Sequence, residues 1–266
     1  MTQHQTPVVE RLTVLGVELD PLTLTQAVDE CARAASEGRR LEVGVVNAAK
    51  LVTMRKDPRL ADAVTGCDLV LADGQAVVWA SRLLGAPLPE RVAGIDLFQR
   101  LLAVAEERGL SVYFLGARRE ALDAMLARIA ERHPRLRVAG ARDGYFTDDE
   151  QPQVADAIAA SGAQLLFLGM TSPKKELFTA AYGERSGVRV VHGVGGSFDV
   201  LAGVTRRAPE LWQRLGLEWL YRVAQEPRRL GRRYLVTNTQ FALMTARAML
   251  ARTAQPSQPP TPAGGN

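Results

Sequence analysis

The sequence predicts an α/β fold: a mostly parallel sheet with helices on both faces, continued at its C-terminal end by a helical appendage. Three observations carry that expectation. Short runs rich in Val, Leu and Ala alternate with amphipathic helical patterns along most of the 266 residues. The clearest of these runs are apolar almost throughout, as strands covered on both faces are. After Pro209 the strand-like runs stop and two long helical patterns follow. Regular strand–helix alternation is met by a parallel sheet with its crossover helices packed on either side, a Rossmann-like arrangement.

In order, LTVLGVELD (12–20) reads as a first strand or hairpin. Thr23 then opens a helix, and Gln26 three residues on completes a capping box. Ala27, Val28, Cys31, Ala32 and Ala35 supply its apolar face. LEVGVVN is a buried strand that closes on Asn47. AKLVTMRK is helical and is interrupted at Asp57-Pro58, where Pro takes the first position of a new helical turn. CDLVLAD is a second buried strand, closing on Asp73. GQAVVWASRLLG and, past the loop APLPERVA, GIDLFQRLLAVAEERG are helical. Strand then helix follows three times more: LSVYFLGA with REALDAMLARIAERH, LRVAGAR with DDEQPQVADAIAASG, and AQLLFLGM with SPKKELFTAAYGERS. VRVVHGVG is the last strand and ends in a Gly-rich turn. ELWQRLGLEWLYRVAQ and RRLGRRYLVTNTQFALMTARAML are the C-terminal helical patterns, divided at Glu226-Pro227, with Trp212, Leu215, Trp219, Leu220 and Val223 as an apolar stripe on the first. The expected organisation is a flexible N-terminus (1–10), an α/β core (11–200), an Arg-rich helical appendage (201–252) and a Pro/Gly-rich tail (253–266) that cannot bury a core and is expected to be disordered.

Composition narrows the function classes. An apolar fraction of 47% allows a substantial core. Two cysteines, Cys31 inside a helical pattern and Cys67 before a strand, read as buried thiols in a reducing compartment. The first ten residues lack the apolar core of a secretion signal, and no run reaches the roughly 18 apolar residues of a membrane span. The chain is expected to be soluble or peripheral. The net charge of +4 is asymmetric: from Arg206 to Arg252 there are ten Arg, three Glu, no Lys and no Asp, or +7, leaving −3 for the remainder.

Asp73 and Asn47 are the sharpest candidates for chemistry, because the carboxyl ends of parallel strands form the ligand crevice of such sheets. Each also suits helix capping. Gly74 follows Asp73, and Gly116, Gly169 and Gly193 stand at other strand ends, where glycine lets backbone approach a phosphate, although tight-turn geometry alone also accounts for them. Asp148, Asp149 and Glu150 follow Thr147 and read as the acidic first turn of a helix. His4, His133 and His192 show no metal-ligand spacing, so a metal-independent mechanism is expected. Arg222, Arg228, Arg229, Arg232 and Arg233, spaced by threes and fours beside the Trp/Leu stripe, suit phosphate binding or an anionic membrane surface.

The run from Asn47 through LADGQAVVWASRLLGAPLPERVAGIDL resembles the core motif of the WecG/TagA/CpsF glycosyltransferases (glycosyltransferase family 26). So do FLGA, DGYF, the SPKKE stretch, GVGGSFDVLAG, RRAP and GLEWLYRVAQEPRRLGRRY, in the right order over residues 10–245. The resemblance implies transfer of N-acetylmannosamine, its uronic acid or a related hexose from a UDP-sugar to a polyprenyl-diphosphate-linked sugar, with inversion, in cell-surface polysaccharide synthesis. The UDP-sugar is then a co-substrate and no cofactor is required. The protein is expected in the cytoplasm, peripheral on the inner face of the membrane, and homo-oligomerisation is left open. Asp73 matches the family's general base and Asn47 its polar residue on the earlier strand. Arg222, Arg229 and Arg232 match arginines proposed to hold the donor diphosphate.

Two positions depart from the family's usual residues. Val45 stands where Thr is common, and Lys175 stands where Gln is common. They leave open which sugar is transferred. Lys175 has two readings, a surface partner of Glu176 or a contact to the donor diphosphate or to a carboxylate on the sugar. Two other functions compete. A dinucleotide oxidoreductase is disfavoured by the missing G-x-G-x-x-G and ribose-binding acid. A nucleic-acid binder is disfavoured because the aromatics near the Arg face have helical, core-like spacing.

Overall fold

The computed structural model describes residues 10–225 and 227–253, without the side chains of residues 214, 229, 230, 233 and 253. All but one residue of the expected flexible N-terminus, and all but one of the expected disordered tail, lie outside the described residues. The chain opens with an antiparallel hairpin of β1 (Leu12–Val14) and β2 (Val17–Leu19). Its two turn residues, Leu15 and Gly16, both have positive φ (53° and 83°), the backbone that a two-residue hairpin turn requires. Helix α1 (Leu24–Glu37) starts at Thr23 in the capping box read from the sequence. β3 (Leu41–Val46), α2 (Ala48–Met54), α3 (Pro58–Thr65), β4 (Leu69–Ala72), α4 (Gln75–Leu83) and α5 (Gly94–Arg108) follow. Pro58 holds the first position of α3 and Asp57 caps it.

Next come β5 (Ser111–Gly116), α6 (Arg119–Arg132), β6 (Arg137–Arg142), a 3-10 turn (Asp148–Glu150), α7 (Gln151–Ser161), β7 (Leu165–Gly169), α8 (Lys174–Tyr182), β8 (Val190–Gly193) and α9 (Ser197–Leu201). The six strands β3 to β8 form one sheet in the order β4-β3-β8-β7-β5-β6, parallel at every pairing. β3 and β5 are buried along their whole length, which is why their sequences are apolar runs without alternation. β6 is an edge strand with Arg at both ends, the kind of polar edge that resists pairing with another chain.

Side chains from the two faces of the sheet make separate cores. On one face Phe98 of α5 packs with Phe114, Phe167 and Phe198, with α1 and α6 alongside. On the other, α2, α3 and α4 cover one half of the sheet and α7 and α8 the other. Cys31 and Cys67 are both buried and free. Burial pushes each thiol up to about 12.

The C-terminal stretch is α10 (Glu210–Arg214), α11 (Glu218–Gln225) and α12 (Pro227–Thr253). The sequence suggested one helix over 210–225. It is broken at Gly216, whose φ of +67° an ordinary helix does not hold. A side chain there would collide with Gln75 and Trp79, so the break lets the α10–α11 turn seat on α4. α12 packs along α2, and its Phe241, 7% exposed, belongs to the core that α2, α3 and α4 share. Among the described residues no helix is long and apolar enough to cross a membrane.

Candidate active site

Asn47 and Asp73 leave the sheet side by side. Val46 of β3 pairs with Ala72 of β4, so each candidate is the next residue on its strand, and the Asp73 N–H donates to the Val46 carbonyl at 2.8 Å. The two side chains then do different things. Asn47 caps α2, its Oδ1 accepting from the Lys50 N–H at 3.0 Å. A Cβ on Gly74 would sit 3.1 Å from that of Asn47, so glycine is what lets the β4–α4 turn pass the β3–α2 turn. Asp73 does not cap its own helix: Gly74 is the N-cap of α4, without a side-chain hydrogen bond. Instead its Oδ1 accepts from the N–H of Gly94, the first residue of α5, at 3.0 Å. A helix N-terminus favours a carboxylate there. The residue is half-buried, and its Oδ2 has no hydrogen-bond partner among the described residues.

His192 secures the other side of the same residue. Its ring is fully buried on β8, with Nε2 3.0 Å from the Gly94 carbonyl. A carbonyl requires a donor, so Nε2 carries the proton. Nδ1 is buried without a hydrogen-bond partner. Burial pushes the imidazole down to about 4, so the ring is neutral near pH 7 and keeps one tautomer. His192 holds Gly94, and Gly94 orients Asp73.

A second buried group lies where α2 and α8 begin. Lys50 Nζ is 2.7 Å from Glu176 Oε1, and Lys175 Nζ pairs with the same oxygen. Their exposures are 9%, 6% and 8% for Lys50, Lys175 and Glu176, so the Lys175–Glu176 pair exists but is not a surface pair. Two cations face one carboxylate, leaving an excess positive charge inside the protein. Glu176 Oε2 is buried and unpartnered. Burial, with Lys50 beside it, pushes Lys175 down to about 8. Burial alone would raise the Glu176 carboxyl, but the two ammonium groups hold it down to about 2. The Lys175 stem occupies the space beside Gly193, where an added Cβ would lie 3.0 Å from its Cε. Gly116 and Gly169 are likewise explained by packing. A side chain on the first would enter the backbone of the second, and one on the second would enter the Phe198 ring.

An ionic chain ties the α11 region to this edge of the sheet. Arg91, in the loop before α5, places Nη1 3.0 Å from Glu218 Oε2 and Nη2 3.8 Å from Asp96. Arg207 donates to both oxygens of Asp96 at 2.6 and 2.8 Å. Arg222 reaches the other oxygen of Glu218 at 3.3 Å, so this candidate is brought to the α5 N-terminus through Glu218. Arg232 is exposed on α12, and the side chain of Arg229 lies outside the described residues. The acids of the 3-10 turn are accounted for locally, with Glu150 closing a capping box on Thr147. Among the described residues no three His, Cys, Asp or Glu side chains gather as a metal would require.

Sequence reading passed over Lys50, Arg91, Asp96, Arg207 and Glu218, saw Glu176 only as a surface partner of Lys175, and weighed His192 only as a metal ligand. Two of them did leave a signal: His192 interrupts the apolar run VRVVHG, and Lys50 interrupts the apolar turn AAKLV. A lone polar group inside a buried pattern must find a partner, and here each does.

A family model described as the glycosyl transferase WecG/TagA/CpsF family matches residues 12–255. Among curated proteins, the chain is 38% identical over 177 residues to N-acetylglucosaminyldiphosphoundecaprenol N-acetyl-beta-D-mannosaminyltransferase of Bacillus spizizenii, covering 66% of this chain and 68% of that one.

Proposed function

The chain belongs to the WecG/TagA/CpsF family of glycosyltransferases, and from that premise we propose that it moves N-acetylmannosamine, its uronic acid or a related hexose from a UDP-linked donor to a polyprenyl-diphosphate-linked sugar, with inversion. The observation that carries this reading is Asp73: one carboxylate oxygen is pinned by Gly94, while the other, at the carboxyl edge of the sheet, has no hydrogen-bond partner among the described residues.

An acceptor hydroxyl is a weak nucleophile near pH 7. Asp73 Oδ2 accepts its proton as the oxygen attacks the anomeric carbon. One base, on the face opposite the leaving group, gives a single displacement and an inverted linkage. The bond to UDP breaks as the new glycosidic bond forms, and negative charge grows on the departing diphosphate. Guanidinium groups of Arg222, Arg229 and Arg232 meet that charge in this reading, and no metal is invoked. The Gly94–His192 contacts keep the carboxylate from rotating away, which is preorganisation rather than proton transfer. The apolar and basic C-terminal helices lie on the anionic inner surface of the membrane, where the lipid-linked acceptor resides.

The test is transfer by the full chain from a panel of UDP-sugars to a polyprenyl-diphosphate-linked N-acetylglucosamine, with the anomeric configuration of the product read by NMR. Asp73→Asn keeps an oxygen for Gly94 but cannot take a proton, so turnover should fall roughly 10²–10⁴-fold with folding and donor binding retained. Near-normal turnover by folded Asp73→Asn would remove Asp73 from the mechanism.

A further inference from the structure

Beside the crevice, a groove of about 450 Å³ runs between α5, α6 and the connection from α9 to α10, and a smaller pocket of about 230 Å³ adjoins it. Its polar lining includes Arg128, Arg132, Arg206, Arg207, Thr205 and Tyr221, and no Asp or Glu lines it. We propose that this groove binds the phosphate of an anionic membrane phospholipid.

Two of the four guanidinium groups are already in place. Arg128 donates to the Leu201 carbonyl at 3.2 Å and lies against Gly203, where any side chain would collide with it. Arg207 is held by Asp96, and its buried Nε has no hydrogen-bond partner among the described residues. Arg132 and Arg206 are exposed and have no carboxylate partner among the described residues. Three guanidinium groups without a carboxylate partner among the described residues, with the Asp96-paired Arg207 beside them, form a site for a phosphate oxyanion, which arginine grips with paired N–H donors.

The rim says where that oxyanion comes from. Val204, between the lining residues Gly203 and Thr205, is 68% exposed. Trp212 of α10 packs edge-on against Tyr221 of the groove, with ring centroids 5.8 Å apart, and its neighbour Leu211 is 65% exposed. Bare aliphatic side chains at the mouth of a cationic groove match the boundary between headgroups and acyl chains. A soluble phosphate would leave them in water. The proposal rests on the membrane part of the preceding reading, not on its sugar chemistry. It adds α5 and α6 of the core to a contact otherwise ascribed to the C-terminal helices.

The test is co-sedimentation of the full chain with vesicles of equal parts phosphatidylglycerol and phosphatidylcholine, against phosphatidylcholine alone. Arg132→Glu with Arg206→Glu should lower partitioning to the anionic vesicles at least about 30-fold, since each basic residue lost near such a surface is worth about fivefold and the reversed charges add repulsion. Arg185→Glu, an exposed position past α8 on the opposite face of the sheet and away from α12, should change it little. Should the first pair melt early, Arg132→Gln alone carries the same expectation at roughly fivefold. A loss from Arg185→Glu as large per residue as that from the groove pair would mean diffuse charge and would overturn the groove. Displacement from vesicles by millimolar inorganic phosphate would make the ligand a soluble ion. Recruitment to phosphatidylcholine doped with a polyprenyl diphosphate, as strong as to phosphatidylglycerol at equal surface charge, would make it the acceptor; either result overturns the proposal. Sugar transfer by the unaltered chain is assayed separately, so a failed transferase reading leaves the vesicle result standing.

Discussion

Replacing Lys175 by Gln should stabilise the fold near neutral pH and abolish part of its alkaline pH dependence. The lysine sits at 6% exposure with Lys50 as a second cation and, among the described residues, Glu176 as the one paired counter-charge. Burial, with Lys50 beside it, holds its ammonium down from the ordinary 10.5 to about 8. At about 1.36 kcal/mol per unit, keeping it protonated at pH 7 costs roughly 3 kcal/mol. Losing the stem beside Gly193 returns about 1 kcal/mol of that, so a net gain on the order of 1–2 kcal/mol is expected. The sign with pH follows from which state holds the proton. The unfolded lysine binds it more tightly, so the unaltered chain gains stability as pH rises from about 8 to 10.5 and carries the full cost below about 8. In Lys175→Gln that rise is absent. Urea unfolding followed by tryptophan fluorescence at pH 7 and near pH 10 measures both. A variant less stable at pH 7 whose pH slope is unchanged would refute the reasoning. The same protein tests specificity: transfer of a uronic acid should fall more than that of its neutral counterpart. Equal weakening for every donor would assign Lys175 to the diphosphate, and no change to either would leave it a structural cation.

Glu218→Gln breaks the ion pairs to Arg91 and Arg222. It should raise hydrogen exchange in α10 and α11 while the sheet stays protected, and unchanged exchange there would show that the contacts on Gly216 and Trp79 hold the turn alone. Phe241→Ala removes a ring that is 7% exposed in the core and should cost roughly 3–5 kcal/mol of stability. A loss below about 1 kcal/mol in chemical unfolding would mean that α12 is only loosely seated. Chelation by EDTA should leave transfer intact; abolition reversed by magnesium or manganese would reopen the acids at 148–150.

The sheet was legible because its information is local. Predominantly apolar runs such as LEVGVV and SVYFLG mark strands buried on both faces, and Thr23-Gln26, Asn47 and Asp57-Pro58 mark helix starts through bonds that span three residues. Parallel strands also share one carboxyl edge, so Asn47 and Asp73 were bound to meet there once the alternation was read. The break at Gly216 was harder to read, because a helical apolar stripe continues across it and only the approach of α4 forbids a side chain.

By itself, then, the sequence determined the α/β class and the shared strand edge to which Asn47 and Asp73 are brought. The tertiary structure alone decided how the Asp73 carboxylate is held and what surrounds it. Asp73 takes its hydrogen bond from Gly94, 21 residues on, rather than from its own helix. Lys50 finds Glu176 across 126 residues, Arg91 finds Glu218 across 127, and Arg207 finds Asp96 across 111. No periodicity records such pairings. A charged side chain next to a buried strand looks the same in sequence whether it faces water or a partner, and the difference is set by which distant element the packing brings within 3 Å to replace the lost hydration.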